Sequence, residues 1–97
     1  MSNLVLSRKG GQGVEFFDTL SGDASGLTVL RVTGGDVKLH FDGGQPFTLH
    51  IGQYAPLAGW PLEVSVIGLA KGQVKLGFNA PQTVKIIRTE ILNKEVP

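Results

Sequence analysis

An all-β domain of antiparallel strands closed by one short carboxyl-terminal helix is the architecture this sequence predicts, on three observations. Apolar and polar residues alternate over short runs along most of the chain, which is the period of half-buried strands. Gly, Asp, Asn and Pro punctuate those runs, as turn residues do. Only the tail, from Arg88 to Glu95, carries residues that favour helix, with Ile91 and Leu92 available for packing and Pro97 closing the chain.

Taken in order, the alternation marks about eight strands: Leu4–Lys9, Val14–Phe17, Leu27–Thr33, Val37–Asp42, Phe47–Ile51, Leu62–Gly68, Val74–Asn79 and Val84–Arg88. Gly10-Gly11-Gln12-Gly13 follows the first of them. A strand rather than a helix comes after those glycines, so they read as a tight turn and not as a phosphate-cradling loop. Gly34-Gly35 is expected to form a two-residue hairpin turn with positive φ at both positions. Asp42-Gly43-Gly44 and Ala70-Lys71-Gly72 are expected as further turns.

Composition narrows the function. A chain of 97 residues is one small domain with a modest core, unless it borrows surface from a partner. With 9 Lys+Arg against 8 Asp+Glu, the net charge of +1 argues against a strong non-specific polyanion binder. Any nucleic-acid site must therefore be local and shaped. The absence of cysteine excludes disulfides, thiolate metal sites and thiol nucleophiles. No run is apolar and long enough to span a bilayer, and none resembles a signal peptide, so a cytoplasmic protein without membrane association is expected.

Sliding the chain against itself matches Leu27–Ile51 to Val64–Arg88 without gaps, at an offset of 37 residues. Val37-Lys38-Leu39-His40-Phe41-Asp42 lies over Val74-Lys75-Leu76-Gly77-Phe78-Asn79, and Val29, Gly35 and Gln45 lie over Val66, Gly72 and Gln82. Two readings stay open: a true duplication, or two alternating hairpins that match because alternation is common.

Three segments near the carboxyl end carry a family likeness: Leu62–Gly68, Gly72–Pro81 with its Gly77-Phe78-Asn79-Ala80-Pro81 ending, and Val84–Ile91. Together they resemble the third to fifth strands and the helix start of the carbon storage regulator family of bacterial post-transcriptional regulators. Leu4-Val5-Leu6-Ser7-Arg8-Lys9, with the glycines after it, resembles that family's first strand and turn. Residues 18–61 have no counterpart in the compact family pattern, and stand either as an insertion or as a degenerate repeat of 62–88.

The resemblance implies a CsrA-like β-sandwich or barrel in which the first strand of one chain lies beside the fifth strand of another. It also implies recognition of GGA triplets in single-stranded or hairpin-loop messenger RNA over ribosome-binding sites. Partners would be mRNA and regulatory small RNA, not DNA, with no cofactor and no catalysis. Carried over by position, the RNA site comprises Leu6, Ser7, Arg8 and Lys9 on the first strand, with Ala80, Pro81, Val84, Ile86 and Arg88 opposite. Unpaired bases can bond strand-edge backbone groups, while Arg8 and Arg88 supply charge or stacking. Departures from the pattern are Lys9 in place of a frequent second Arg, Ile87 in place of a common His, and Thr89 in place of a frequent acid.

If the middle is a duplication, one chain supplies the sheets of two. The first strand then pairs in cis with Val84–Arg88 and makes one complete site in a monomeric pseudo-dimer. The second site is lost, since Ile51 stands at the repeat position of Arg88. The alternative is a hairpin inserted into a strand-swapped homodimer with two sites. Elsewhere, His40 and His50 sit on the polar phase of their strands without a third ligand nearby, and no Ser is placed for a triad. Trp60 and Tyr54 read as plugs over the core rather than as base-stacking platforms. A structural or protein-interaction module that has lost RNA binding is the competing function.

Overall fold

The computed structural model describes residues 2–88, and among them builds nine strands and no helix. They are β1 (Ser2–Lys9), β2 (Gly13–Asp18), β3 (Ala24–Val32), β4 (Asp36–Phe41), β5 (Phe47–His50), β6 (Tyr54–Pro56), β7 (Glu63–Ala70), β8 (Gln73–Ala80) and β9 (Val84–Arg88). The eight expected strands are all present, with ends shifted by up to three residues. β6 is the additional one, too short for alternation to reveal. The expected tail helix lies beyond Arg88, outside the described residues.

The strands form two antiparallel sheets, one in the order β1-β8-β7-β6 and the other β5-β4-β3-β2-β9. Alternate residues of both sheets face inward, so Val14, Phe16, Leu27, Val29, Val37 and Leu39 of one meet Val64, Val66, Val74, Leu76 and Phe78 of the other in a single core. Phe16 is its hub, with the rings of Phe41, Trp60 and Phe78 at centroid distances of 6.2, 6.0 and 5.8 Å. Trp60 thus covers the core as expected. Tyr54 does not: it is 66% exposed on β6.

Two turn expectations fare differently. At β7–β8 the turn is Lys71-Gly72 with φ of 52° and 78°, the geometry a two-residue hairpin demands. Gly34 and Gly35 have no positive φ. The loop they occupy is held instead by Thr33, whose Oγ1 accepts from the Asp36 and Gly35 amides at 3.0 and 3.4 Å while its own N–H donates to Asp36 O at 2.9 Å. A threonine staple does the work expected of the glycines.

The hydrogen-bonding plan of the first four strands recurs in the next four. In β3–β4, Leu27 faces Phe41 and the register slips between Val29 and Arg31; in β7–β8, Val64 faces Phe78 and it slips between Val66 and Gly68. Both bulges leave an apolar residue exposed, Leu30 and Ile67. The β1–β2 turn has Gly11 at φ 89°, the Lys9 amide donating to Gln12 Oε1, and Gly11 N–H donating to Val29 O. The β5–β6 turn has Gly52 at φ 88°, the His50 amide donating to Gln53 Oε1, and Gly52 N–H donating to Val66 O.

Register therefore sets β5 against β4 as β1 is set against β8: His50 faces Asp36 where Lys9 faces Gln73. This corrects the gapless alignment of the sequence with itself. β5 occupies the place of β1, not of β9, and Ile51 matches Gly10 rather than Arg88. The offset changes because eight residues separate Phe16 from its partner Ser25, whereas four separate Leu57 from Leu62.

Candidate nucleic-acid interface

β1 is the edge strand of its sheet, and its residues divide by alternation. Ser7 and Lys9 face outward and are exposed, while Leu6 and Arg8 face the core. Arg8 is 4% exposed, an uncommon place for a cation. Its Nε donates to Ser7 O at 2.7 Å and its Nη1 reaches Gly13 O at 3.5 Å. Gly13 lies at the start of β2, so this guanidinium ties the β1 edge of one sheet to the other sheet.

β9 is the edge of that second sheet and pairs with β2, Val84 against Asp18, Ile86 against Phe16 and Arg88 against Val14. Val84 and Ile86 share the face of β9 that meets the core, the first buried and the second half-buried. Arg88, on the same phase at the strand's end, is exposed. The expected direct pairing of the first strand with Val84–Arg88 is not observed: β1 bonds to β8 and β9 bonds to β2.

Sandwich connectivity nevertheless brings these two edges to one side of the molecule. The stretch Ala80–Thr83 links β8, the neighbour of β1, to β9. At the other end Gly10–Gln12 links β1 to β2, the neighbour of β9. Ala80 is buried opposite Ser2, Pro81 is half-buried, and Val84 N–H closes the turn on Pro81 O at 3.1 Å. All nine expected site residues thus lie on the two edges or on the bridge between them. Unpaired backbone groups of edge strands are what such a site offers to base edges.

The sequence model of the CsrA family, described as a global regulator protein family, matches residues 58–96. That stretch of the chain is similar to the CsrA family. It contains β7, β8 and β9 and therefore Ala80, Pro81, Val84, Ile86 and Arg88. No curated protein and no solved structure matches the chain.

The CsrA-like stretch has its β9 beside β2, and β1 completes that side of the molecule. The equivalent place on the other half is not furnished in the same way. β5 stands for β1, but Phe47-Thr48-Leu49-His50 replaces Leu6-Ser7-Arg8-Lys9. Leu49, 7% exposed, is an ordinary core residue where Arg8 is a buried cation. Among the described residues no strand pairs with the outer side of β6, where β9 would belong. Gln53 O accepts from Val66 N–H, and Leu57 N–H donates to Leu62 O. Tyr54 and Pro56 must then turn their backbone groups away from β7. Pro56 has no N–H to offer, which blunts this edge against strand addition. Glu15 holds the matching place on β2 and faces Ile87 of β9. Pro56 was legible as a turn residue, but its role needed the register.

The remaining polar groups do not assemble a reaction centre. His40 Nε2 lies 3.1 Å from Gly44 O, and His50 Nδ1 lies 3.8 Å from Asp36 on an exposed surface. The described residues include no group of three side chains able to hold a metal ion, and no helix long and apolar enough to cross a membrane. Glu15 and Asp42 bring their carboxylates to within 3.3 Å of the place a Gly26 Cβ would occupy, so a glycine is needed between them. Partial burial, and then the Asp42 charge, raise the Glu15 pKa above 4.5.

Proposed function

We propose that this chain is an RNA-binding post-transcriptional regulator that recognises GGA motifs in single-stranded or hairpin-loop messenger RNA, without a cofactor and without chemistry. The observation that carries the reading is the likeness of residues 58–96 to the CsrA family, together with the connectivity that links the β9 edge of that stretch to the β1 edge through β8 and β2. Ser7, Pro81 and Ile86 present the site over the buried Leu6, Ala80 and Val84, and Arg88 and Lys9 meet phosphate or base. Buried Arg8 fixes the course of β1 against the start of β2, and so the place of Ser7 and Lys9, rather than contributing to stability. We read residues 2–41 and 47–88 as two copies of one unit, the first without a final strand. One chain then makes one site in cis as a monomeric pseudo-dimer, in place of the two sites of a strand-swapped homodimer. Regulatory small RNA is the natural competitor for such a site, and the cytoplasm its setting.

The experiment is a titration of a labelled GGA hairpin, with a CCA hairpin as control, using wild type and Arg88→Ala, and the mass of the complex determined alongside. Selective binding, a loss of at least about tenfold in Arg88→Ala, and one RNA per chain are expected. Affinity should fall with salt at a slope of about −0.7 per neutralised phosphate. If neither hairpin binds, the near-neutral net charge of +1 favours the other reading, a CsrA-like module that contacts protein.

A further inference from the structure

Phe17 faces away from the core, since Phe16 beside it is fully buried, and it is 43% exposed. Its cross-strand neighbours are Ala24 on β3 and Lys85 on β9, so an aromatic face and an exposed ammonium sit side by side on the outer surface of the second sheet. Just after β2, Leu20 is 81% exposed. It is presented by a loop that is internally braced: Asp18 Oδ1 accepts from Leu20 N–H at 2.9 Å, Gly22 N–H donates to Asp18 O at 2.8 Å, and Asp18 N–H to Asp23 O at 2.8 Å. The loop is also fastened to the β8–β9 bridge, because Thr19 N–H and Oγ1 both donate to Thr83 O, at 2.8 and 2.7 Å.

None of this serves the core, and single exposed apolar residues are common on any surface. What gives these residues weight is the other half of the molecule. Register matches Phe17 to Ala58, and the shorter connection there has no counterpart of the Leu20 loop. The other half also exposes Tyr54 and Ile51, but among the described residues the pairing of an exposed aromatic ring with a cross-strand lysine next to a braced loop belongs to the half that has β9. Exposed aromatic rings beside cations are how single-stranded nucleic acid is held without sequence readout. Glu15 and Asp42 lie one row further along the same face, and their charge keeps phosphates off that row. A strand leaving the β1/β9 side past Thr83 therefore meets an apolar place to set a base down, with the Lys85 ammonium beside it for a phosphate.

The geometry points to an accessory subsite, formed by Phe17, Leu20 and Lys85, that stacks an unpaired base flanking the RNA segment held between β1 and β9. This rests on the RNA-binding reading above and extends it. The subsite reads no sequence, and it gives messages with unpaired flanks an advantage over isolated hairpins.

The test compares a minimal GGA hairpin with the same hairpin carrying a few unpaired adenosines on both flanks, titrated against wild type, Phe17→Ser and Lys85→Gln. Wild type should prefer the extended RNA by about tenfold, the size of one base–aromatic stack. Phe17→Ser should erase that preference while keeping its affinity for the minimal hairpin and its thermal transition. Lys85→Gln should reduce it and flatten its salt dependence. Equal binding of both RNAs by wild type, or an intact preference in Phe17→Ser, overturns the subsite while the regulator reading stands. In that case the face belongs to a contact other than RNA. Failure of wild type to bind either RNA removes the regulator reading, and the subsite with it.

Discussion

At the core-facing position next to the end of β1 stands Arg8, and at the matching position of β5 stands Leu49. Both strands pair with the same kind of neighbour in the same register, both run into a glycine turn closed by a glutamine side chain, and both cover the same core. The comparison separates what the fold needs from what it tolerates. Leucine is sufficient for packing there. A buried guanidinium, which burial penalises unless its donors are all engaged, is an addition found, among the described residues, only on the half whose β2 carries β9. The second half of the molecule thus serves as the reference for the first.

Exchanging the two residues gives the largest effects. Leu49→Arg forces a longer, charged side chain into a core position that leucine fills, and should destabilise the fold by about 3–5 kcal/mol in urea or thermal unfolding. Arg8→Leu should leave stability near wild type, while affinity for a GGA hairpin falls at least about tenfold. A stability loss in Arg8→Leu as large as that of Leu49→Arg would mean that the guanidinium is structural, and the contrast between the halves would lose its functional meaning.

The two hairpin turns offer a second contrast. Gly72 and Gly35 match in register and in the self-alignment, but only Gly72 has positive φ, at 78°. Gly72→Ala should cost about 1 kcal/mol, whereas Gly35→Ala should be neutral or stabilise by about 0.4 kcal/mol, since neither strain nor a neighbour opposes it. Equal effects at both sites would show that the threonine staple does not govern the first turn.

Smaller still is the effect at the blunted edge. Pro56→Val restores a donor on the free side of β6, and sedimentation at high concentration should then detect weak self-association that wild type lacks. The smallest concerns Glu15, for which the unfolded chain binds fewer protons than the folded one over the range between the two pKa values. Stability must then decline as pH rises through 4.5 and the raised folded value above it. Glu15→Gln should remove that decline, giving a slightly higher melting temperature than wild type at pH 7 and none of the gain at low pH.

Much of the fold was legible because alternation is a direct readout of one buried face. Eight strands, the core role of Trp60 and the turn at Lys71-Gly72 all follow from local pattern. β6 escaped because three residues, one of them proline, cannot show a period. The pairing of β1 escaped for another reason: which strand lies beside which is decided by sheet closure, and Leu4–Lys9 carries no mark that distinguishes β8 from β9 as a partner. The true match of β5 to β1 was hidden by the longer connection after β2, and only Gly11-Gln12 over Gly52-Gln53 survives as identity. At the candidate site, residue types were readable but accessibility was not. Arg8 looks like any surface arginine until its phase on an edge strand assigns it to the interior.

β1 finds its partner in β8, the next-to-last strand, and β9 finds its partner in β2. On a ribosome, the β3–β4 hairpin can form early from neighbours in the chain, but both the β1 and the β9 edge must wait for residues 73–88. Until residues 73–88 emerge, β1 has no strand to bond to and β2 keeps one edge open, so order at this side of the molecule comes after order in the β3–β4 hairpin.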